Sequence, residues 1–548
     1  MNKPINPSQD LSPTESSSAP IGIDFGTTNS AMSRYLASFI KKGPENLNFP
    51  LTGNILYPSI ALLDNESDTI RTGITAFNRR FIEPEKIIAS VKRKISEEER
   101  YEMNGRWYSN VDITEAIISD FVREIKLTDH NMHPQVVVVA VPYYFGENEN
   151  ASIKKAAEKA IFKQLEYEPD VFLLPEPVAA SIACIYEFPE NTVLNSNTFF
   201  IYDIGGGTLD LTLVRVTKGA KSFDYEILAN DGIANFGGDD IDDLLYDYVL
   251  IHEGINLSNL DAHYRIINRA RIIDECRQAK HYLSTVENYS FMCANLIGLE
   301  EDHIELDISR DTLDLLLRGQ NGSKRNMYSE LTECVERLYS KANLNKEDVD
   351  YILPVGGTSL VPLFHNLMSN IHTSAKEITS PDKNKNYVMV ANGACIFAAM
   401  KSDEKYHTQY HPFNSQNSIE RMKTRISHSL FLKKYNGKLD VIIEANSLSP
   451  TQIEKTYYPS KFQDNGLIVD LDSVQLFQGQ GLSRKNGNYI GSIDFTQQAI
   501  YAHGRKLDEI PIHVSFEASD TLVKVTCLIP KSDINGKDIS FTQIICQQ

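Results

Sequence analysis

At roughly 150 residues per domain, a chain of 548 residues has room for two to four domains. Its content of 42% hydrophobic, 23% charged and 9% aromatic residues is an ordinary globular mix, which excludes collagen-like, coiled-coil and wholly disordered chains. The formal net charge is −19; so acidic a chain is a poor partner for nucleic acid or an anionic membrane, which recruit clustered Lys and Arg.

Residues 1–20, MNKPINPSQDLSPTESSSAP, are rich in Pro and Ser with no apolar core, and they read as a disordered tail rather than a signal peptide. No apolar run approaches the ~20 residues needed to cross a bilayer. From 21 to 402 short β-rich runs alternate with amphipathic stretches, an α/β pattern. PIGIDFG, QVVVVAVPYYF, TFFIYDIGGG and VDYILPVGG predict strands, and ASIKKAAEKAIFKQL, IDDLLYDYVLIHEG and ARIIDECRQAKHYLS predict helices. Residues 403–420 lack sustained apolar periodicity and read as a polar linker. Between 421 and 548 the texture becomes all-β. Asn436-Gly437, Asn486-Gly487 and Asn535-Gly536 are type I′ hairpin signals, and PIHVSF puts Ile512, Val514 and Phe516 on one face, so a β-sandwich is predicted. The cysteines are scattered, with no zinc-finger or thioredoxin spacing. That argues against a structural metal and predicts a reduced, cytoplasmic protein.

One internal repeat outweighs any single motif. Asp24-Phe25-Gly26-Thr27-Thr28 follows a strand, and so does Asp203-Ile204-Gly205-Gly206-Gly207-Thr208; each is followed by a further β-like run. Each is a hairpin with a glycine turn, and two of them predict two related halves facing one another. Glycine turns let successive backbone amides approach a phosphate and form an anion nest. The P-loop and the dinucleotide fingerprint need a helix straight after the glycines, and neither hairpin supplies one. A single glycine hairpin is commonplace; two with the same Asp-x-Gly-x-Thr chemistry point to phosphate. Asp24 and Asp203 end apolar strands, where an unpaired carboxylate is costly. Each can cap its own turn, or the pair can face a hydrated magnesium ion, which keeps its waters and uses one or two carboxylates plus phosphates.

IGIDFGTTNS, VAVPYYF, LLPEPVAAS, FFIYDIGGGTLDLTLV, NFGGDDIDD, ECRQAKHYLS and ILPVGGTSLVP resemble, in order and spacing, the ATPase domain of the seventy-kilodalton heat-shock (Hsp70) chaperones. The resemblance covers about residues 20–400. It implies a bilobed actin-like ATPase domain of two ribonuclease H-like halves, followed here by a small β-sandwich. It further implies ATP or ADP as ligand, with Mg2+ and a possible K+ site. Gly26, Thr27 and Thr28, with Gly205, Gly206, Gly207 and Thr208, match the loops that grip the phosphates. Asp24 and Asp203 match the carboxylates that hold hydrated magnesium, with Asp210 nearby. Lys92 in ASVKRKIS matches the catalytic lysine, although KRK alone reads as a solvated basic run. Glu176, with Asp203 and Thr208, completes the implied catalytic set. Pro142 and Tyr144 match the segment that relays nucleotide state.

The adenosine side departs from the pattern. Arg277, Lys280, His281 and Ser284 share one helical face by i, i+3, i+4, i+7 spacing. Lys280 and Ser284 match ribose and base contacts. Arg277 stands where the family has Glu, and His281 and Leu360 replace two arginines that sandwich adenine. Gly356, Gly357, Thr358 and Ser359 match the third nucleotide loop, and Gly237, Gly238 and Asp239 the turn near the β-phosphate. Asn150 replaces an arginine used in interdomain signalling.

VQLFQGQGLSRKNGNYIGSIDF loosely resembles a stretch of the family's peptide-binding β-domain. The linker lacks the family's leucine-rich segment, and the sequence stops where a helical lid would begin. The resemblance thus implies a slow ATPase with a polypeptide client, and raises a J-domain cochaperone and a nucleotide exchange factor as partners. Three other readings remain open: a nucleotide-binding scaffold with little turnover, an actin-like filament former, and a small-molecule kinase of the same superfamily. The kinase would need an aspartate base for a hydroxyl substrate.

Overall fold

The computed structural model describes residues 18–37, 42–130, 132–143, 145–187, 196–218, 223–378, 383–402, 424–425, 429–433, 439–444, 447–449, 451–459, 461–462, 468–470, 475–479, 488–492, 500–518 and 522–546. The chain divides into two compact units. The first comprises residues 1–142, 152–224 and 230–420, the second residues 143–151, 225–229 and 421–548.

In the first unit, β1 (Ile21–Asp24) pairs antiparallel with β2 (Asn29–Ala37), Ile23 opposite Met32. On its other side β1 runs parallel to β3 (Val136–Val141), Ile21 opposite Val137, and β3 runs parallel to β4 (Asp170–Pro175). Every residue of β3 is buried, as its unbroken VVVVAV run requires of a parallel strand covered on both faces. Helix α1 (Glu176–Glu187) follows β4 directly.

A second sheet repeats this plan. β5 (Ser196–Ile204) pairs antiparallel with β6 (Leu209–Lys218), and parallel to β7 (Tyr351–Val355). Each first strand therefore has its hairpin partner on one side and a parallel strand on the other. Helices α2 (Gly238–His252) and α3 (Ala262–Leu283) lie in sequence between β6 and β7, and α4 (Pro362–Ile371) follows β7.

Helix α5 (Met389–Lys401) is buried from Met389 to Ala399, the signature of a helix apolar on all sides. It packs against β1 and α1 through residues without side-chain bulk: a methyl on Gly393 would collide with the Ala179 carbonyl, and one on Gly22 with the backbone of Ala391–Cys395. Residues 18–20 correct the predicted disordered tail. Ala19 and Pro20 are buried, and the Pro20 carbonyl accepts from the Tyr35 amide at 2.9 Å, extending the β1–β2 hairpin. The rest of that tail and the linker at 403–420 lie outside the described residues.

In the second unit, one sheet has the order β9–β8–β11–β12, with β8 (Ser429–Lys433), β9 (Leu439–Ile443), β11 (Gln475–Gly479) and β12 (Asn488–Ser492). The other has the order β10–β13–β14–β15, with β10 (Thr451–Tyr457), β13 (Ile512–Ala518), β14 (Leu522–Ile529) and β15 (Ile539–Cys546). Ile512, Val514 and Phe516 are buried together with Leu430, Ile442 and Ile443 in one apolar cluster drawing on both sheets. Asn535-Gly536 is not a type I′ turn. It lies in the nine residues between β14 and β15, where Gly536 has φ +76°, and the Asp533 carboxylate accepts from the Asn535 and Lys537 amides at 2.8 and 2.5 Å. Asp533 makes the turn as an Asx motif, and a type I′ turn would need positive φ at Asn535 as well. Asn436-Gly437 and Asn486-Gly487 lie outside the described residues. Among the described residues no helix is long and apolar enough to cross a membrane.

Candidate nucleotide site

The two hairpin turns meet. A methyl on Gly206, in the second turn, would collide with the Thr28 hydroxyl of the first. Thr28 Oγ1 is itself buried with no hydrogen-bond partner. An unpartnered hydroxyl so placed is expensive unless a ligand completes it.

The chain's own hydrogen bonds decide what the triglycine turn can offer. The Gly205 carbonyl accepts from the Gly238 amide at 3.1 Å and from Thr358 Oγ1 at 2.8 Å. The Gly206 carbonyl accepts from the Asp239 amide at 2.7 Å, and that of Gly207 from the Phe236 amide at 3.1 Å. With the carbonyls engaged, and the Gly205 amide donating to the Thr208 carbonyl at 3.1 Å, the turn's remaining polar groups are the Gly206 and Gly207 amides, which suit an anion. Gly237 sits so close to Gly206 and Gly207 that a side chain there would strike their backbone. It is also the N-cap of α2, whose dipole favours negative charge. Gly205 is different: its φ needs no glycine, and nothing lies within 4 Å of a methyl built on it. Its bareness leaves room that the chain does not fill. The third loop closes the group, since Gly356, with φ +75°, places its α-carbon so that a methyl would lie 2.6 Å from Asp203 Oδ1.

Charge gathers behind these turns. Asp203 lies directly opposite Asp210 across the β5–β6 ladder, a juxtaposition of like charges that destabilises a hairpin. Lys92 Nζ donates to Glu176 Oε1 at 2.5 Å, with Lys92 5% and Glu176 9% exposed. Lys92 is carried by the short turn Val91–Lys94, entered through Ser90 in the left-handed region at φ +56°.

Burial first, then Glu176, raises the Asp24 carboxyl to about 7 against the pull of Lys92. The same two causes raise Asp210 to about 8. Asp203 goes well above the ordinary range through burial, Glu176, Asp210 and Asp24. Lys92 is penalised by burial but held protonated, its affinity raised, by Glu176, Asp24 and Asp210. Asp24, Asp203 and Asp210 are surrounded by protein yet only half-buried by surface; they line a recess rather than sit in a core.

Four carboxylates share this recess with one ammonium, so the fully ionised set carries 1 − 4 = −3. A hydrated divalent cation suits such a set. Among the described residues no three His, Cys, Asp or Glu side chains are grouped so that they could hold a metal ion.

The remaining predicted residues separate. Lys280 Nζ donates to the Gly238 carbonyl at 2.7 Å and pairs with Asp242 at 2.7 Å. Arg277 pairs with Asp242 at 3.4 Å and Asp274 at 3.8 Å. Ser284 turns its hydroxyl to the Lys280 carbonyl at 3.0 Å, and Ser359 turns its own to the Gly356 carbonyl at 2.6 Å. His281 is exposed and Leu360 half-buried. Pro142 is buried just after β3, and Tyr144 lies outside the described residues. Asn150 Nδ2 donates to the Phe145 carbonyl at 3.2 Å.

A family model described as Hsp70 protein matches residues 97–537 of this chain. The chain belongs to the Hsp70 family. A chaperone protein dnaK of Phaeodactylum tricornutum (strain CCAP 1055/1) is 27% identical over 413 residues, covering 70% of this chain and 61% of that relative. One of Trieres chinensis is 27% identical over 416 residues, with the same coverage. The chain thus spans about three-fifths of the length of these Hsp70-family relatives.

The Hsp70 match contains Glu176, the triglycine turn and the third loop, and begins after the first hairpin and Lys92. The Lys92–Glu176 bond and the packing of Gly206 on Thr28 tie those earlier residues to the matched part.

Sequence reasoning missed two members of the site in this Hsp70 chain. The guanidinium of Arg93 lies against Gly207, where a methyl would strike it, and its Nε and Nη2 are buried without a hydrogen-bond partner. Asp242, 1% exposed, is the anchor of Lys280. Asp242 lies four residues after Gly238 on α2, a helical spacing that would have flagged it. Arg93 carries no such signal, since a second cation in a basic run reads as solvent-facing.

Proposed function

We propose that this Hsp70-family chain binds and slowly hydrolyses ATP, and couples that cycle to a polypeptide client. In this reading residues 21–402 form a bilobed actin-like ATPase domain, and residues 421–548 a β-sandwich that receives the client. The observation that carries it is the buried Lys92–Glu176 pair among Asp24, Asp203 and Asp210, beside the joined Thr28 and triglycine turns.

The amides of Gly206 and Gly207, the hydroxyls of Thr28 and Thr208 and the Arg93 guanidinium hold the terminal phosphates, and Gly205 leaves them room. Asp24 and Asp203 would hold magnesium through its waters, and the ion would supply the positive charge that four carboxylates and a polyphosphate lack. Water adds to the γ-phosphorus, the bond from that phosphorus to the β–γ bridging oxygen breaks, and ADP and inorganic phosphate leave. Lys92 stabilises charge on the phosphoryl group in transit, while Glu176 fixes that ammonium and accepts from the attacking water. Lys280, Arg277, His281 and Ser284 flank the nucleoside, and Pro142 and Tyr144 carry nucleotide state onward. A J-domain cochaperone and an exchange factor are the partners this cycle would use.

The test is single-turnover ATP hydrolysis by wild type and Lys92→Ala, with and without an unfolded peptide. Turnover lost in the variant and changed by peptide in the wild type supports the reading; equal turnover in both proteins removes the catalytic assignment. Peptide that neither changes turnover nor is released by ATP points instead to a nucleotide-binding scaffold.

A further inference from the structure

Gly357, in the third loop, has a backbone any residue adopts, φ −70° and ψ −33°. What excludes a side chain there is a ring: a methyl on Gly357 would lie 2.7 Å from Cε1 of Tyr387, with Cδ1 at 3.6 Å and Cζ at 3.7 Å. Tyr387 comes from the 3-10 segment Lys383–Val388 just before α5. Its neighbours Asn386 and Val388 are 2% and 0% exposed, whereas the ring keeps 36% of its surface free. The segment is therefore firmly seated, and the aromatic it presents is left uncovered on a nucleotide loop. An isolated exposed tyrosine needs no explanation; one for which the adjoining loop has given up its side chain does.

The surroundings fit a flat, uncharged ligand group. The same loop turns Thr358 toward the Gly205 carbonyl, and Thr358 Oγ1 and Lys280 Nζ lie 3.0 and 2.8 Å from a methyl built on Gly238. Loop 356–360 and the C-terminal end of α3 thus come together at Gly238, beside the phosphate turns. The groups available beyond Lys280 are Leu360 and the His281 imidazole. Its surface is open to solvent, yet desolvation by the protein around it, then Lys280 and Arg277, lowers that imidazole to about 4, so at neutral pH it carries no charge. Aromatic faces stack on heteroaromatic bases whatever their hydrogen-bonding edge.

We infer that Tyr387 is the base-stacking platform of this site, a specificity residue for nucleotides over base-free polyphosphates. This rests on the nucleotide reading above. The experiment is calorimetric titration of the full chain with ADP and with inorganic tripolyphosphate, in magnesium. Wild type and Tyr387→Phe should bind ADP alike, and Tyr387→Ala about tenfold more weakly, with tripolyphosphate affinity unchanged. Tyr387→Trp, in a Trp107→Phe background that removes the single natural tryptophan, should change its emission with ADP and not with tripolyphosphate. Equal ADP affinity in wild type and Tyr387→Ala overturns the inference, as does a parallel loss of both ligands or an emission indifferent to ADP. A wild type that binds no ADP overturns the nucleotide reading itself, and this inference with it.

Discussion

Lys92 and Glu176 stand 84 residues apart in sequence and 2.5 Å apart in space, with side chains 6% and 11% exposed. Removing one partner of a buried pair leaves an uncompensated charge and costs about 3–5 kcal/mol. Here the loss falls on a recess that already holds an excess of carboxylates. Lys92→Ala is therefore expected to lower the unfolding temperature as well as to reduce hydrolysis by at least about a hundredfold. Lys92→Met with Glu176→Leu should regain much of the stability and none of the turnover. Thermal unfolding beside single-turnover hydrolysis checks both; a single variant as stable as wild type contradicts the pairing.

The raised carboxyls give stability a definite pH slope. Asp24 at about 7 and Asp210 at about 8, against 3.8 for the ordinary carboxyl, mean that the folded chain keeps protons the unfolded chain has released. Stability is then greatest below about pH 4 as far as these groups are concerned, and falls as pH rises through 7 and 8. The slope is at most about 1.4 kcal/mol per pH unit for each proton. In metal-free buffer the unfolding temperature should decline between about pH 6 and 8.5. Asp210→Asn should flatten the decline, and so should Mg2+ with ADP. A rising unfolding temperature across that range would contradict the charge assignment.

Arg93 presses on Gly207 with two buried, unpartnered donors. A hydrogen bond to a charged group is worth about 1.5–3 kcal/mol, so Arg93→Ala should weaken ATP binding by about tenfold or more. It should cost little stability, because its one protein partner, Asn235 Oδ1 at 3.3 Å, is exposed and can turn to water. Arg93→Lys should recover only part of the affinity, since an ammonium lacks the planar fork. Calorimetric binding of ATP is the check, and unchanged affinity in Arg93→Ala would remove it from the site.

Two glycines make opposite forecasts from one substitution. Gly393→Ala drives a methyl into the Ala179 carbonyl, backbone against backbone; it should cost more than about 3 kcal/mol or prevent folding. Gly205→Ala meets nothing within 4 Å, so unfolding should move by less than about 1 kcal/mol while ADP affinity falls. Chemical denaturation separates them. A Gly205→Ala protein that binds ADP normally would show that the space at 205 is not used.

Local features were the legible ones. Both hairpins could be read from Asp-x-Gly-x-Thr between apolar runs, because strand, turn and strand are contiguous. Lys92 could not be placed by its own neighbours, since KRK looks like a solvated run and its partner Glu176 arrives only through the fold; there the family resemblance supplied what periodicity lacked. Arg93 and Tyr387 gave no sign for the same reason, as each acquires meaning from a glycine far away in the chain. Asn535-Gly536 misled in the reverse sense, since Asp533 two residues earlier captured the turn through its carboxylate. Pro20 was drawn from tail to sheet by one carbonyl that no composition rule registers.

Helix α5 has a consequence for how the chain is made. Its Asn392 accepts a hydrogen bond at 2.7 Å from Ser33, 359 residues earlier, and Gly22 of β1 rests on Ala391–Cys395. During synthesis the first sheet is therefore exposed on that face until nearly four hundred residues have been translated. Contacts of such sequence separation form late and slowly, and a waiting apolar sheet is prone to aggregate. A protein whose proposed work is to shelter other nascent or unfolded chains would itself need shelter while it is being built.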